Sequence, residues 1–170
     1  KKNKSFEVVF NQKISEFNFD QKEVSFINNV CLNAMRRSIH CKKIINKFIN
    51  NKIKINESVL LISAIVQIVY LDIKPYAVVN ETVNVSKLIK VYPGFINAVL
   101  KNIIKNIKDL KKIQITLADF PKWFIDKSTQ TKNINLDLLI STFFEQPSLH
   151  LVFKSEKHLK TFNEPHTKSS

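Results

Sequence analysis

The residues best placed for chemistry in this sequence are its cations. Lys101, Lys105, Lys108 and Lys112 recur at spacings of four, three and four, with Lys111 beside them. On a helix that spacing lines ammonium groups along one side, opposite an apolar stripe of Val99, Leu100, Ile103, Ile104, Ile107 and Leu110. A second group, Arg36, Arg37, Lys42 and Lys43, contains the only two arginines of the chain. Such lysines contact phosphates as compact charges, which gives affinity with little base readout. The 27 Lys and Arg against 14 Asp and Glu leave a formal net charge of +13. That balance favours an anionic partner, nucleic acid first and an anionic membrane surface second. Lys, Asn, Ile and Phe also share AT-rich codons, so the clustering of the cations weighs more than their number.

Catalytic chemistry is poorly provided for. Cys31 and Cys41 stand ten apart, outside any paired metal-ligand motif, and His40 beside Cys41 reads as incidental. The carboxylates Glu57, Asp72 and Glu81 are scattered, and Ser63 sits mid-helix with no histidine at a telling position. No catalytic residue, metal site or cofactor is expected. Two isolated cysteines, and an opening "KKNKSFEVVF" with no charged stretch leading into a long apolar run, fit a reduced, cytoplasmic protein. The absence of an initial methionine is read as a longer parent that has been cut.

Positioning these cations calls for helices. The 170 residues are 44% hydrophobic with one glycine and five prolines, too few for a many-turned sandwich or barrel. "FDQKEVSFINNVCLNAMRRSIH" opens with Asp20 as N-cap and Glu23 three residues on, a capping-box pair. Val24, Ile27, Cys31, Ala34 and Met35 then share a face. "CKKIINKFINNKI" turns Ile44, Ile45, Phe48 and Ile49 inward. "ESVLLISAIVQIVYLDI" is apolar nearly all round, broken by Ser63 and Gln67, and reads as a buried central helix too short to span a bilayer.

"YAVVNETVNVSKLIK" has valines suited to a strand, yet Val78, Val79, Thr82, Val83, Val85 and Ile89 make one helical stripe behind Pro75, and a helix is expected. The lone glycine, Gly94, is assigned a positive φ in the turn before the last helix. The expected helices are 21–39, 41–50, 57–72, 76–90 and 95–112. Past Ile113 come the polar connection "ADFPKWFIDKSTQTKNIN", the short amphipathic helix "LDLLISTFFEQ", the strand-like "SLHLVFK" and a disordered tail.

Taken together these segments resemble the NusB-type RNA-binding domain. The likeness is strongest to the version at the N-terminus of the Sun/RsmB class of 16S rRNA cytosine-C5 methyltransferases. "KPYAVVNETVNVSKLIKVYPGFINAVLKNI" is similar to that family's proline, its asparagine- or alanine-glutamate pair opening a helix, and its Gly-Phe-Val/Ile-Asn-Ala/Gly-Val-Leu run. Pro75, Asn80, Glu81, Val83, Gly94, Phe95, Asn97, Val99 and Leu100 fall in place. Met35-Arg36 matches the Leu-Arg of the family's upstream segment, and "FPKWFIDK", with Trp123, resembles the Pro-x-Trp-Leu element of the methyltransferases that free-standing NusB lacks. The likeness covers roughly residues 20–154. Asn80 and Glu81 read as helix-start hydrogen-bonding residues and Trp123 as a packing anchor.

The resemblance implies an all-α, NusB-like antiparallel bundle over 1–115 with the family's first helix largely missing. A small α+β extension of linker helices and one strand follows over 116–162, and a disordered tail over 163–170. It implies structured rRNA of the small ribosomal subunit as partner, a methyltransferase catalytic domain as a second, and no membrane. The Pro-Pro-x-x-Leu-Arg-x-Asn strand of the family appears as "PSLHLVFK", with Ser148, Val152 and Lys154 in place of the second proline, arginine and asparagine. The family's nucleophile cysteines follow proline and threonine, whereas Cys31 follows Val30 and Cys41 follows His40. With one glycine there is no cofactor loop for S-adenosylmethionine. The expectation is a non-catalytic RNA-binding module. A NusB-type antitermination protein and a functionless remnant of a split methyltransferase gene are the alternatives.

Overall fold

The computed structural model describes residues 4–131, 135–145 and 154. Among these, every regular element is a helix: α1 Phe6–Ile14, α2 Gln21–Arg36, α3 Ser38–Asn46, α4 Ile55–Ile65, α5 Pro75–Leu88, α6 Pro93–Lys105, α7 Ile107–Leu110, α8 Lys122–Gln130 and α9 Leu136–Phe144. The expected strand at 148–154 lies outside the described residues except for Lys154. No described helix is long and apolar enough to cross a membrane.

Local chemistry fixes the helix starts. Asp20 accepts from the backbone N–H groups of Lys22 and Glu23 at 2.7 and 2.8 Å, while Glu23 accepts from the Asp20 N–H at 2.8 Å, a complete capping box. Helices α5 and α6 each begin on a proline, Pro75 and Pro93, whose missing N–H costs nothing in the first turn. The stretch "YAVVNETVNV" is therefore helical as expected, but its inward stripe is Val78, Thr82 and Ser86, with Val79 and Val83 beside them. Val85 and Ile89 stay exposed. The small hydroxyls are accommodated because Thr82 donates to the Val78 carbonyl at 2.6 Å and Ser86 to that of Val83 at 2.7 Å.

Helix α4 is the hub, packed against α2, α3, α5 and α6. Leu61, Ala64 and Ile65 are fully buried, as are Cys41 and Ile44 of α3 and Ile96, Leu100 and Ile103 of α6. Each such large aliphatic side chain contributes about 1.5–3 kcal/mol by leaving water. The expected single helix 57–72 instead widens after Ile65 into a π-turn, Val66–Tyr70, closed by Leu71 N–H to the Val66 carbonyl at 3.1 Å. Gln67, the polar interruption of this apolar run, donates to the backbone and hydroxyl oxygens of Ser63, so the two interruptions satisfy each other.

Other boundaries also differ from expectation. The helix expected over 21–39 breaks at Arg37, where φ is −104° and ψ 13°, and α3 starts at Ser38 rather than 41. The last helix breaks at Asn106, so Lys101 and Lys105 lie on α6, Lys108 on α7, and Lys111 and Lys112 beyond it. A short helix, α1, occupies residues left unassigned by periodicity; Ser5 caps it and none of its residues is buried.

The turn between α5 and α6 corrects the reading of Gly94. Its φ is not positive; Lys90 holds the left-handed conformation instead, at φ 56°. Val91 N–H reaches the Ser86 carbonyl at 2.8 Å and Lys90 N–H that of Lys87 at 3.3 Å, a Schellman cap with lysine where glycine is usual. Gly94 lies in the first turn of α6, under the Tyr92 ring, whose Cζ and Oη would stand 2.9 Å from an added Cβ. Phe95 packs against the core, and α6 lies along α4 as expected of the last bundle helix.

Candidate nucleic-acid interface

The bundle divides the cations into two groups. Lys101, Lys105 and Lys108 are exposed, and no carboxylate lies within ion-pair distance of them among the described residues. They oppose the buried stripe of Val99, Leu100 and Ile103, which anchors their backbone in the core. Lys112, expected on the same face, and Lys111, expected beside it, carry partners instead: Asp72 for Lys111 and Asp109 for Lys112, each at 3.4 Å. Both pairs are solvent-exposed and hold the lysines only weakly.

The second group is built around the α2–α3 break. Arg36 and Lys42 have no ion pair among the described residues, and Lys42 is exposed. Arg37 and Lys43 are committed inward. The Arg37 guanidinium lies 4.2 Å from the centroid of the Tyr70 ring, a cation–π contact at the end of the π-turn. Lys43 donates to Asp119 at 2.7 Å and to the Gln114 carbonyl at 3.0 Å. Asp119 also accepts from the Thr116 backbone N–H at 2.8 Å and its hydroxyl at 3.1 Å. The Lys43 hydrogen bond, helped by those of Thr116, holds the Asp119 carboxyl below the ordinary aspartate range. Lys43 is thus a clasp between the bundle and the segment after it, rather than a free phosphate contact.

Sequence reasoning missed His40 and Tyr70. His40 is 7% exposed, and its Nδ1 contacts the Tyr70 hydroxyl. Burial foremost, then the positive charges of Arg37 and Lys43, depress its basicity, so the imidazole is neutral near pH 7. Burial likewise raises the Tyr70 phenol far above its ordinary range and pushes the neighbouring Cys41 thiol up to about 12. The usable signal was spacing: His40 and Ile44 lie four apart on one helical face, which places the imidazole inside. Arg37, His40 and Tyr70 line a cavity of about 630 Å³ whose far side is formed by residues of α9.

Pro75 starts α5, but Asn80 and Glu81 are exposed in its second turn, so they do not supply helix-start hydrogen bonds. Asn97 is half-buried on α6. Trp123 on α8 is 66% exposed, its ring edge-on to Phe124 at 5.8 Å. It is not the packing anchor expected; Phe124 is, stacking on Phe120 at 4.8 Å and meeting Phe143 of α9 edge-on at 5.5 Å.

Compared with known families, residues 1–105 match the model described as the NusB family. The matched span takes in α1, upstream of residue 20 where the sequence likeness was expected to begin, and ends at Lys105, the last residue of α6. No curated protein and no solved structure matches the chain.

Proposed function

The chain belongs to the NusB family, and from that membership we propose that it is a non-catalytic RNA-binding module of the kind found at the N-terminus of 16S rRNA cytosine-C5 methyltransferases. Its ligand is structured RNA of the small ribosomal subunit, held through phosphates and presented to a catalytic domain. The observation that carries this reading is the exposed set Lys101, Lys105 and Lys108, without ion pairs among the described residues, on the last helices of a bundle whose family points to RNA. Such ammonium groups release condensed counterions on binding and give affinity that is steep in salt and nearly blind to sequence.

The methyltransferase-type reading is supported over the antitermination-type one by α8. The segment "FPKWFIDK" folds as an ordered helix beyond the matched domain, and the Lys43–Asp119 clasp ties the preceding turn to the bundle. That a domain of this charge is followed directly by a docked, aromatic-rich extension suits a module joined to a further domain.

The test is the triple variant Lys101→Gln, Lys105→Gln, Lys108→Gln, titrated with 16S rRNA fragments across a range of salt. The log–log salt slope is expected to become shallower by roughly two to three units, since each lost phosphate contact removes about 0.7–0.9. Glutamine is nearly as good a helix former as lysine, so the circular dichroism should not change. An unaltered affinity and slope would reduce this face to a solvated one and move the search to Arg36 and Lys42.

A further inference from the structure

The open cavity between the α2–α3 break and α9 differs from the lysine face in being concave and chemically mixed. Its volume of about 630 Å³ falls within the range of roughly 300–1,000 Å³ that small-ligand pockets occupy. One side is apolar: Ile113, Ile140 and Phe144. The other carries Lys111 and Arg37, whose guanidinium carbon lies 4.2 Å from the centroid of the Tyr70 ring and whose buried Nε has no hydrogen-bond partner among the described residues. Asp137, in the first turn of α9, adds a carboxylate acceptor.

This combination selects against simple ligands. A bare anion would meet Asp137, and an apolar ligand would leave Arg37 and Asp137 desolvated and unpaired. A nucleotide meets every requirement at once. Its phosphate pairs with a planar guanidinium, its base offers a flat face to isoleucine and phenylalanine, and its ring or exocyclic N–H donates to a carboxylate. We propose that this cavity receives a single unpaired nucleotide of the bound RNA, with the phosphate at Arg37, the base against Ile140 and Phe144, and Asp137 reading a base N–H. The proposal rests on the RNA-binding reading and adds a site of different character: the α6–α7 lysines hold the RNA backbone, and the cavity takes up one unpaired base.

The experiment compares two RNA hairpins of equal length and charge, one fully paired and one with a single unpaired nucleotide, by fluorescence anisotropy on the full chain. Wild type is expected to prefer the second by about tenfold, toward the lower end of what one stacked base contributes. Ser141 lines the cavity, is exposed, and hydrogen-bonds only within its own helix, to the Leu138 carbonyl at 2.8 Å. Ser141→Trp therefore fills the space without cutting into the core and should bring the preference close to one. Arg37→Gln should reduce the preference by removing the phosphate contact, with thermal melts reporting whether it still folds. Equal binding of the two hairpins by wild type overturns the pocket and leaves the lysine face standing, as does a preference that survives Ser141→Trp. Failure to bind either RNA overturns the RNA-binding reading, and the pocket with it.

Discussion

Two basic regions of similar charge lie on this bundle, and they are used in opposite ways. On α6 and α7 the cations face water with their backbone anchored by a buried stripe, so their charge is available to a partner. At the α2–α3 break two of the four cations are turned inward, Arg37 onto Tyr70 and Lys43 onto Asp119. Charge of the first kind is free for the RNA backbone and contributes little to stability; charge of the second kind holds elements together, and of that pair Arg37 also lines the cavity. What separates them is whether a buried or capped acceptor stands within reach.

The largest contrast is expected in stability. Arg37→Met keeps the aliphatic stem and removes the cation over Tyr70, a partly desolvated contact, so unfolding in urea should show a loss of about 1–2 kcal/mol. Changing Lys101 and Lys105 together to glutamine should alter it by less than about 0.5 kcal/mol, as is usual for surface substitutions. If the two variants are equally destabilised, the division between free and committed cations is wrong.

The clasp gives a smaller effect with a pH signature. Asp119→Asn should cost about 1 kcal/mol, the upper range of a partly exposed ion pair together with a weakened cap. Because the folded-state pKa of Asp119 is depressed, its stabilisation is fully present above the ordinary aspartate value of 3.8 and is lost as the pH falls through the lower folded value. The gap between wild type and variant should therefore be constant from pH 7 to about pH 5 and close below pH 4. Taking the difference cancels His40, whose lowered pKa makes both proteins less stable as the pH falls below the ordinary imidazole range. A gap that persists unchanged into acid would show that the pair contributes nothing.

The helical class, the five bundle helices and the inward faces of α4 and α6 were legible because long apolar periodicity survives any local detail. Val99, Leu100, Ile103 and Leu110 are buried as their spacing requires. Less legible was which cation is free, because that depends on residues distant in sequence. Asp119 lies 76 positions from Lys43, and Tyr70 lies 33 from Arg37. Nor does a run of lysines reveal where a helix breaks: Asn106 interrupts what reads as one continuous face, and Lys111 and Lys112 fall outside it. His40 has no metal-ligand spacing to mark it, and its neighbour is a phenol distant in sequence.

Lys90 and Gly94 carry the same contrast down to the backbone. Lys90 is a cation whose importance is conformational: it is exposed and holds φ at 56° to close the Schellman cap. A left-handed conformation costs a non-glycine residue about 1–2 kcal/mol, and glycine returns part of that gain as extra chain entropy. Lys90→Gly should accordingly stabilise the protein by about 0.5–1 kcal/mol with the RNA salt slope unchanged. A slope shallower by about one unit would instead place Lys90 among the phosphate-contacting lysines.

Gly94 should give the smallest effect of all, despite being the only glycine in the chain. Its backbone is helical, so no positive φ demands it, and alanine is the better helix former by up to about 1 kcal/mol. Against that gain, a Cβ would press on the Tyr92 ring, with Cζ and Oη at 2.9 Å and Cε1 at 3.0 Å. Those atoms are the outer end of a side chain that is 74% exposed, so the ring can swing into water and loses only the contact over Gly94. The two terms nearly cancel, and Gly94→Ala should shift stability by less than about 0.5 kcal/mol in either direction. A loss of about 2 kcal/mol or more would mean that Tyr92 is held where it lies, and that its ring, rather than the glycine, fixes the start of α6.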